Sequence, residues 1–191
     1  MKRVIVGVSA LLIAFISIRC DKNEDAPAKA GMTLKVDDES KEPVVGTATL
    51  SFETQNDHEG RALQMAATVN GNLLTIGVSN WDFQNPPENG VKAKVYTSEF
   101  SEDMTAEAEC MSLEEGAVEL CEGILVTYTV GSQMYMSALY EGEYDGFVKV
   151  TSCDGSAKKV SGEFDLKLDD GDGNEISLKG TFENVSYIVV K

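Results

Sequence analysis

The feature that most constrains the fold is an alternation of apolar and polar residues, which recurs along the chain from Met32 onward. Successive side chains of a β-strand point to opposite faces, so this pattern predicts strands with one buried and one wetted face. Such strands form antiparallel sheets that cover a core on one side. The chain is therefore predicted to be all-β, as an antiparallel β-sandwich of about 8–10 strands or, alternatively, a β-barrel. Alternating apolar series include Leu63, Met65, Ala67 and Val69, and Val91, Ala93 and Val95, and the clearest series is Phe164, Leu166 and Leu168 in the C-terminal part.

Turn-forming residues separate the predicted strands. Asn70-Gly71 lies between two alternating runs and predicts a hairpin, because both residue types accept positive φ. Residues 169–174 have turn composition, and a further strand is expected from Val185 to Val190. The stretch from Ser101 to Glu122 breaks the pattern with eight acidic residues. It is expected to be an acidic loop or a short helix inserted between strands.

The first nineteen residues are typical of a secretory signal. Lys2 and Arg3 precede an uncharged run from Val4 to Ile18, which as a helix is too short for the ~30 Å hydrocarbon core. The residues after Cys20, up to Gly31, include no large apolar side chain and are expected to form a flexible tether. We therefore expect a signal peptide over 1–19, a tether over 20–31 and a single β domain over 32–191.

Cys20 directly follows the apolar run, after Ser17, Ile18 and Arg19. Its position resembles the lipid-attachment site of bacterial lipoproteins, although Ser17 and Arg19 stand where the usual motif has leucine and a small residue. The resemblance implies a diacylglyceryl group on the thiol, cleavage before Cys20 and a further acyl chain, such as palmitate, on the new amino group. The acidic tract over 21–25 resembles the export tether of Bacteroidota-type surface lipoproteins. The chain is therefore expected at the outer membrane of the bacterial cell envelope, lipid-anchored and surface-exposed.

The C-terminal third carries a second resemblance. Gly162, the run from Gly180 to Phe182 and Tyr187 match a "GtF … GtF-nv-y" pattern, with Glu163 where threonine is common. This ending is similar to that of small Bacteroidota-type lipoproteins of unknown function. The resemblance implies an all-β lipoprotein with no assigned activity.

Net charge narrows the classes of partner. The chain carries 32 acidic and 16 basic residues, a formal net charge of −16 at pH 7. A phosphate backbone requires a basic surface, so nucleic acid is excluded as a partner. Electrostatic docking on anionic lipid is disfavoured for the same reason. Contact with the membrane is therefore expected through the N-terminal lipid.

Three cysteines remain once Cys20 is assigned to lipid attachment. Exported proteins meet an oxidising compartment, in which disulfides form. Cys110 and Cys121 flank the acidic stretch and are the candidate pair, and pairing of either one with Cys153 is the alternative.

Few residues suggest a ligand site. Trp81 and Phe83 lie in a proline-containing loop and are the candidate ligand-binding residues, because loops on a rigid scaffold often carry function. Asp170, Asp172 and Asn174 place oxygen donors at alternate positions and form a weak calcium candidate, with a plain hairpin tip as the alternative. No catalytic, zinc or nucleotide motif occurs, so no catalytic residue and no cofactor is expected.

These patterns predict a non-enzymatic binding module that recognises a glycan, peptide or partner protein. A structural or assembly lipoprotein of the envelope is the first alternative. A glycoside hydrolase that uses two carboxylates is the remote alternative, since the 32 acidic residues leave no basis for choosing a pair.

Overall fold

The computed structural model of the chain describes residues 31–55, 58–81, 88–97, 110–111, 120–121, 123–137 and 146–190. These residues form thirteen β-strands and, within the described ranges, no helix, which confirms the all-β prediction. The strands are β1 (Gly31–Val36), β2 (Glu39–Lys41), β3 (Val44–Gln55), β4 (His58–Val69), β5 (Asn72–Trp81), β6 (Val95–Thr97), β7 (Cys110–Met111), β8 (Leu120–Cys121), β9 (Gly123–Val130), β10 (Gln133–Met136), β11 (Gly146–Asp154), β12 (Lys159–Asp169) and β13 (Glu175–Val190).

Two predicted regions lie wholly or largely outside these residues. The signal peptide, Cys20 and the tether up to residue 30 are not among the described residues, and of the acidic stretch only β7 and β8 are. The described β domain begins with β1 at Gly31, one residue before the predicted boundary. No helix in the described ranges has the length and apolar character needed to cross a membrane.

Eleven strands form one sheet in the order β2-β1-β13-β3-β4-β5-β9-β10-β12-β11-β6. β13 also pairs with β12, which closes seven strands, from β13 through β3 and β10 to β12, into a ring. The contact between β10 and β12 is short and places Met136 opposite Asp169. The closed order corresponds to the barrel-like alternative of the sequence prediction. β1 and β2 extend the sheet beyond the ring from β13, and β11 and β6 extend it from β12.

β13 joins three strands, and here the sequence prediction was wrong in two respects. The stretch is one continuous strand rather than two, and its pairing with β3 is parallel in an otherwise antiparallel sheet. The cause is a bulge at which Asn184 adopts a φ of 52°. The bulge bends the strand, so that residues 178–183 pair with β1 and residues 187–190 pair with β3. The backbone N–H of Asn184 donates to Ser161 Oγ at 2.9 Å.

The core lies inside the ring and is built by alternate residues of each strand. Along β4 and β5 the inward positions are buried and their neighbours are half-buried or exposed, as the alternation predicted. The Asn70-Gly71 hairpin connects these two strands, with positive φ at both residues, as predicted. The most deeply buried aliphatic side chains include Leu50, Leu63, Leu74, Ile76, Val126, Leu168 and Leu178.

Two glycines allow two phenylalanines to fill the space between β12 and β13. Gly162 lies opposite Phe182 in the register, and Gly180 lies opposite Phe164. A Cβ at Gly162 would lie 2.8 Å from Phe182 Cε2, and a Cβ at Gly180 would lie 2.7 Å from Phe164 Cζ. Each ring therefore occupies the volume that a side chain on the opposite strand would need.

The residues before β6 differ from the predicted strand. Only Val95–Thr97 is β-structure, and residues 88–94 instead form a segment that we call the strap. Two of its backbone groups bond to side chains: Lys92 N donates to Asn80 Oδ1 at 3.1 Å, and Tyr96 Oη donates to Lys92 O at 2.8 Å. Lys94 O accepts the backbone N–H of Val150 of β11 at 2.9 Å. Val91 of the strap is buried in the core as predicted, but the predicted alternation fails after it: Ala93 is exposed and Tyr96, predicted on the opposite face, is buried.

Candidate functional site

The predicted ligand-binding loop is described only at its first residue. Trp81 is the last residue of β5, and its backbone lies opposite Gly60 of β4. Phe83 lies outside the described residues. The role of this loop therefore stays a prediction.

The calcium candidate is a hairpin tip between β12 and β13 in which Asp170 organises the turn. Its carboxylate accepts the backbone N–H groups of Asp172 and Asn174 at 2.9 and 3.0 Å, and the side-chain amides of Asn174 and Gln133. The hydrogen bond from the Asn174 side chain is the main reason that the pKa of Asp170 is lowered. Across the described residues, no group of three or more His, Cys, Asp or Glu side chains is arranged to hold a metal ion.

The cysteines separate into a backbone pair and a single thiol. β7 and β8 pair with Cys110 directly opposite Cys121. Cys153 of β11 is unpaired and half-buried, with its Sγ 3.6 Å from Tyr187 Oη. Tyr187 Oη in turn donates to Asn89 O of the strap at 2.5 Å. Burial, followed by the contact with Cys153, raises the pKa of Tyr187.

An open groove of ≈ 670 Å³ crosses four neighbouring strands, β1, β13, β12 and β11. Its lining comes from residues far apart in the sequence, which the sheet register places side by side. Lys35 lies opposite Lys179, which lies opposite Asp165, which lies opposite Phe147. The lining residues are Met32, Thr33, Leu34, Lys35, Ser40, Lys41, Glu42, Pro43, Phe147, Glu163, Phe164, Asp165, Lys179, Gly180 and Thr181.

The positive and negative side chains that line the groove are equal in number, although the protein as a whole is strongly acidic. Three lysines and three carboxylate side chains line it. Lys179 Nζ lies 2.7 Å from Asp165 Oδ2, and this hydrogen bond raises the pKa of Lys179. Lys149, just outside the groove, lies 2.9 Å from Glu163 Oε1. Thr33 and Thr181 share a 2.8 Å hydrogen bond between their hydroxyl groups. The surface offers donors, acceptors and a half-buried aromatic ring, Phe147, with little net charge.

Arg61 is a buried cation at the inner side of the ring of strands. Its side chain is 5% exposed, and it lies in register between Phe52 of β3 and Asn80 of β5. The guanidinium carbon lies 4.8 Å from the centre of the Phe52 ring, and Nη2 lies 3.6 Å from Glu59 Oε1. Within the described part of the chain, Nε and Nη1 have no hydrogen-bond partner. The sequence analysis missed this residue, although it occupies an inward position in the same alternating series as Leu63 and Met65.

On the outer side of the sheet, four adjacent cross-strand rows from the end of β13 through β3, β4, β5 and β9 to β10 contain no charged residue, and the next row along β3 begins with Glu53. We call this surface the uncharged face. Among the described residues, seven large hydrophobic side chains are exposed, and all except Val130 lie on this face. Its cross-strand rows are Val190–Ser51–Ala62–Ser79–Gly123, Ile188–Thr49–Gln64–Gly77–Leu125, Ala66–Thr75–Thr127–Met136 and Val44–Thr68–Leu73–Thr129–Met134.

Neither the groove nor the uncharged face was among the predicted sites. Each is a property of strand order, which places residues such as Thr33 and Thr181 in contact. Comparison of the chain with protein families, with curated proteins and with solved structures found no match. The resemblance to bacterial lipoproteins therefore rests on the residues that carry it.

Proposed function

We propose that the protein is a lipid-anchored surface lipoprotein whose β domain binds a neutral, polar ligand of the glycan class in the groove, without catalysing a reaction. The observation that carries this proposal is the electrical balance of the groove on a chain of net charge −16. A charged ligand would favour a groove of one sign, whereas a polyhydroxylated ligand requires mixed donors and acceptors.

The side chains of the groove suit sugar hydroxyl groups. Lys35 and Lys179 are donors, Asp165 is an acceptor, and the Thr33–Thr181 pair supplies both. Phe147 adds a half-buried aromatic surface on which the apolar face of a sugar ring can stack. Small-ligand sites commonly combine an apolar wall with a few polar groups that fix orientation.

Hydrolysis of the ligand is the less favoured reading of the same groove. Glu163 and Asp165 project from one side of β12, two residues apart, and a glycosidase needs two carboxyl groups that flank the bond. Here each carboxylate contacts a lysine ammonium group, at 2.9 and 2.7 Å. One member of a hydrolytic pair must donate a proton, and both of these groups are engaged as acceptors.

The anchoring part of the proposal is supported by the N-terminal apolar run and by the position of Cys20. Mass spectrometry of the chain purified from a bacterial membrane tests it. We expect an N-terminus at Cys20 carrying a diacylglyceryl group and a further acyl chain. A Cys20→Ala variant should leave the membrane fraction, and an unmodified Cys20 in the wild-type chain would contradict the proposal.

The binding part is tested by a glycan array, followed by titration calorimetry with the best glycan. We expect Phe147→Ala to weaken binding about tenfold, which corresponds to ~1.4 kcal/mol of lost stacking. Val130→Ala, an exposed apolar side chain outside the groove, is the matched control and should bind as the wild type does. Equal affinity of both variants, or selective binding of peptides instead of glycans, would contradict the proposal.

A structural or assembly role is the second candidate, and the uncharged face favours it. Contiguous exposed apolar surface on a soluble domain commonly marks a contact with another macromolecule. Deletion of the gene and analysis of the envelope would test this role independently of glycan binding.

A further inference from the structure

We infer that the uncharged face pairs with the same face of a second copy of this chain, forming a two-fold symmetric dimer. The nineteen positions of its four rows contain no Asp, Glu, Lys or Arg. Six exposed large hydrophobic side chains lie among them. Depletion of charged residues is the main compositional mark of the centre of a protein–protein interface.

The distribution of charge selects a second copy as the occupant. The outer surface of β1, β11, β12 and β13, away from the uncharged face, instead carries charged residues: Lys35, Lys149, Glu163, Asp165 and Lys179. With a net charge of −16, two copies repel each other over most of their surface. The uncharged face is the surface of the described strands through which two such copies meet without bringing like charges together. A two-fold axis in the interface makes the contact self-complementary and closes the assembly at two copies.

The shape of the face allows close approach. Its centre carries small side chains, among them Ala62, Ala66 and Gly77, and its margins carry the larger Ile188, Leu125 and Met134. Sheets pack face to face at a distance of ~10 Å when their side chains interdigitate. Threonine and serine hydroxyl groups between the aliphatic residues can exchange hydrogen bonds across such a contact.

The area suits a weak dimer. Four of the strands, β3, β4, β5 and β9, contribute about seven residues each, and β13 and β10 contribute about three each. At a spacing of ~4.8 Å between strands and ~3.3 Å between residues, the face covers roughly 540 Å², so two copies would bury about 1,100 Å² in total. Standard protein interfaces bury about 1,200–2,000 Å², and weak, transient interfaces lie just below that range.

Sedimentation velocity of the purified full chain at up to ~100 μM tests the inference. We expect a wild-type dimer whose dissociation constant falls when NaCl rises from about 50 to about 500 mM, because salt screens the repulsion between acidic copies. Thr75→Glu, at the centre of the face, should weaken association at least tenfold, and Gln64→Lys should do the same. Ser177→Glu adds the same charge as Thr75→Glu, but on the part of β13 that pairs with β12, away from the uncharged face. It should leave association unchanged.

Circular dichroism melting of each variant confirms that it is folded. A wild-type chain that stays monomeric at both salt concentrations would overturn the inference. Equal association of Thr75→Glu and Ser177→Glu would also overturn it, because a dimer formed through another segment would not depend on which of the two positions carries the added charge. Flotation with phosphatidylcholine vesicles tests whether the face binds a membrane instead. A monomeric chain that binds the vesicles, and loses that binding in Thr75→Glu, would assign the face to a membrane and overturn the dimer. Glycan binding by Thr75→Glu shows that the groove is independent of this face.

Discussion

The ring of Phe182 occupies the place where a side chain on Gly162 of the neighbouring strand would lie. A Cβ at Gly162 would also meet the carbonyl oxygen of Lys149, so both sides of the position are filled. We expect Gly162→Ala to lower the free energy of unfolding by about 1–3 kcal/mol or more, since the core must shift to admit a methyl group. For a chain of this length the midpoint of thermal unfolding should fall by roughly 2–4 °C per kcal/mol.

Gly123→Ala is the matched control for this prediction. Gly123 is also a strand glycine, but a Cβ there would approach nothing closer than Thr97 O at 3.7 Å. Its unfolding midpoint should stay close to that of the wild type. Equal midpoints for the two variants would show that the ring of Phe182 moves aside without cost.

Tyr187 attaches the strap to β13, and removal of its hydroxyl group should loosen that attachment. The hydroxyl donates to Asn89 O at 2.5 Å in a buried position. Tyr187→Phe leaves this carbonyl oxygen without its donor, and we expect a loss of about 1–3 kcal/mol in chemical denaturation. Tyr128→Phe is the control, since among the described residues the Tyr128 hydroxyl accepts one long hydrogen bond, from Asn72 Nδ2 at 3.4 Å.

The same tyrosine predicts a dependence on alkaline pH. Burial raises the pKa of Tyr187 above its ordinary value of 10.0. A raised pKa in the folded state contributes stability below pH 10, and that contribution is lost as the pH rises further. The stability difference between the wild type and Tyr187→Phe should therefore be constant up to about pH 9 and shrink above pH 10. A difference that grows above pH 10 would contradict the burial of this hydroxyl.

Arg61 is predicted to cost stability rather than to contribute it. A buried guanidinium group whose Nε and Nη1 lack partners among the described residues loses more by desolvation than one 3.6 Å contact with the exposed Glu59 carboxylate returns. Arg61→Met keeps the aliphatic contacts and removes the charge, so the free energy of unfolding should equal or exceed that of the wild type by about 1–2 kcal/mol. Lys167→Met, at an exposed position, should change stability by less than ~0.5 kcal/mol. A loss of more than ~1 kcal/mol in Arg61→Met would reveal a partner for the guanidinium group.

Asp170 should make the hairpin tip sensitive to acid. Its pKa is lowered from the ordinary 3.8, first by the hydrogen bond from Asn174. A lowered pKa contributes stability at neutral pH that is lost as the pH falls below 3.8. Asp170→Asn should therefore unfold at a lower temperature than the wild type at pH 7, and the difference between the two midpoints should shrink as the pH falls below 3.8. Asp172→Asn removes the same charge two residues away and should show no such convergence.

Cys110 and Cys121 should form a disulfide under oxidising conditions. Directly opposite residues of an antiparallel pair have Cα atoms about 4.5–5.5 Å apart, which is within the range that a disulfide bridges. Peptide mapping without reductant should recover the two residues in one linked peptide, with Cys153 as a free thiol. Recovery of Cys110 or Cys121 in a peptide linked to Cys153 would support the alternative pairing.

The strands that form the ring could be predicted from the sequence, because their apolar residues alternate with polar ones in step with which side chains are buried. Leu63 and Met65 are buried and Gln64 is not, so the pattern fixes which side of β4 faces the core. The hairpin at Asn70-Gly71 was equally accessible, since its backbone requires residues that tolerate positive φ. The strap shows the limit: Val91 is buried as its alternation predicted, but Ala93 is exposed and Tyr96 is buried, because residues 88–94 do not join the sheet.

The groove and the uncharged face could not be predicted, because alternation says nothing about which strands are neighbours. Thr33 and Thr181 are 148 residues apart and share a hydrogen bond only because β13 pairs with β1. The switch of β13 to β3 follows a bulge at Asn184, whose positive φ looks like an ordinary turn preference in the sequence. Arg61 is the exception, since a lone cation at an inward position is visible in the alternation itself.

The position of β13 in the ring has a consequence for the order in which the chain folds. This strand alone contacts β1, β3 and β12, so the ring stays open until β13 is in place. β13 pairs with β12 through a short hairpin, but its contacts with β1 and β3 join distant segments and form slowly, because the entropy of closing long loops is lost before the contacts repay it. Until then β1 and β3 each present an unpaired edge, which is the state most open to wrong pairing between chains. The time spent with the ring open, rather than the stability of the closed ring, should therefore set the yield of refolding.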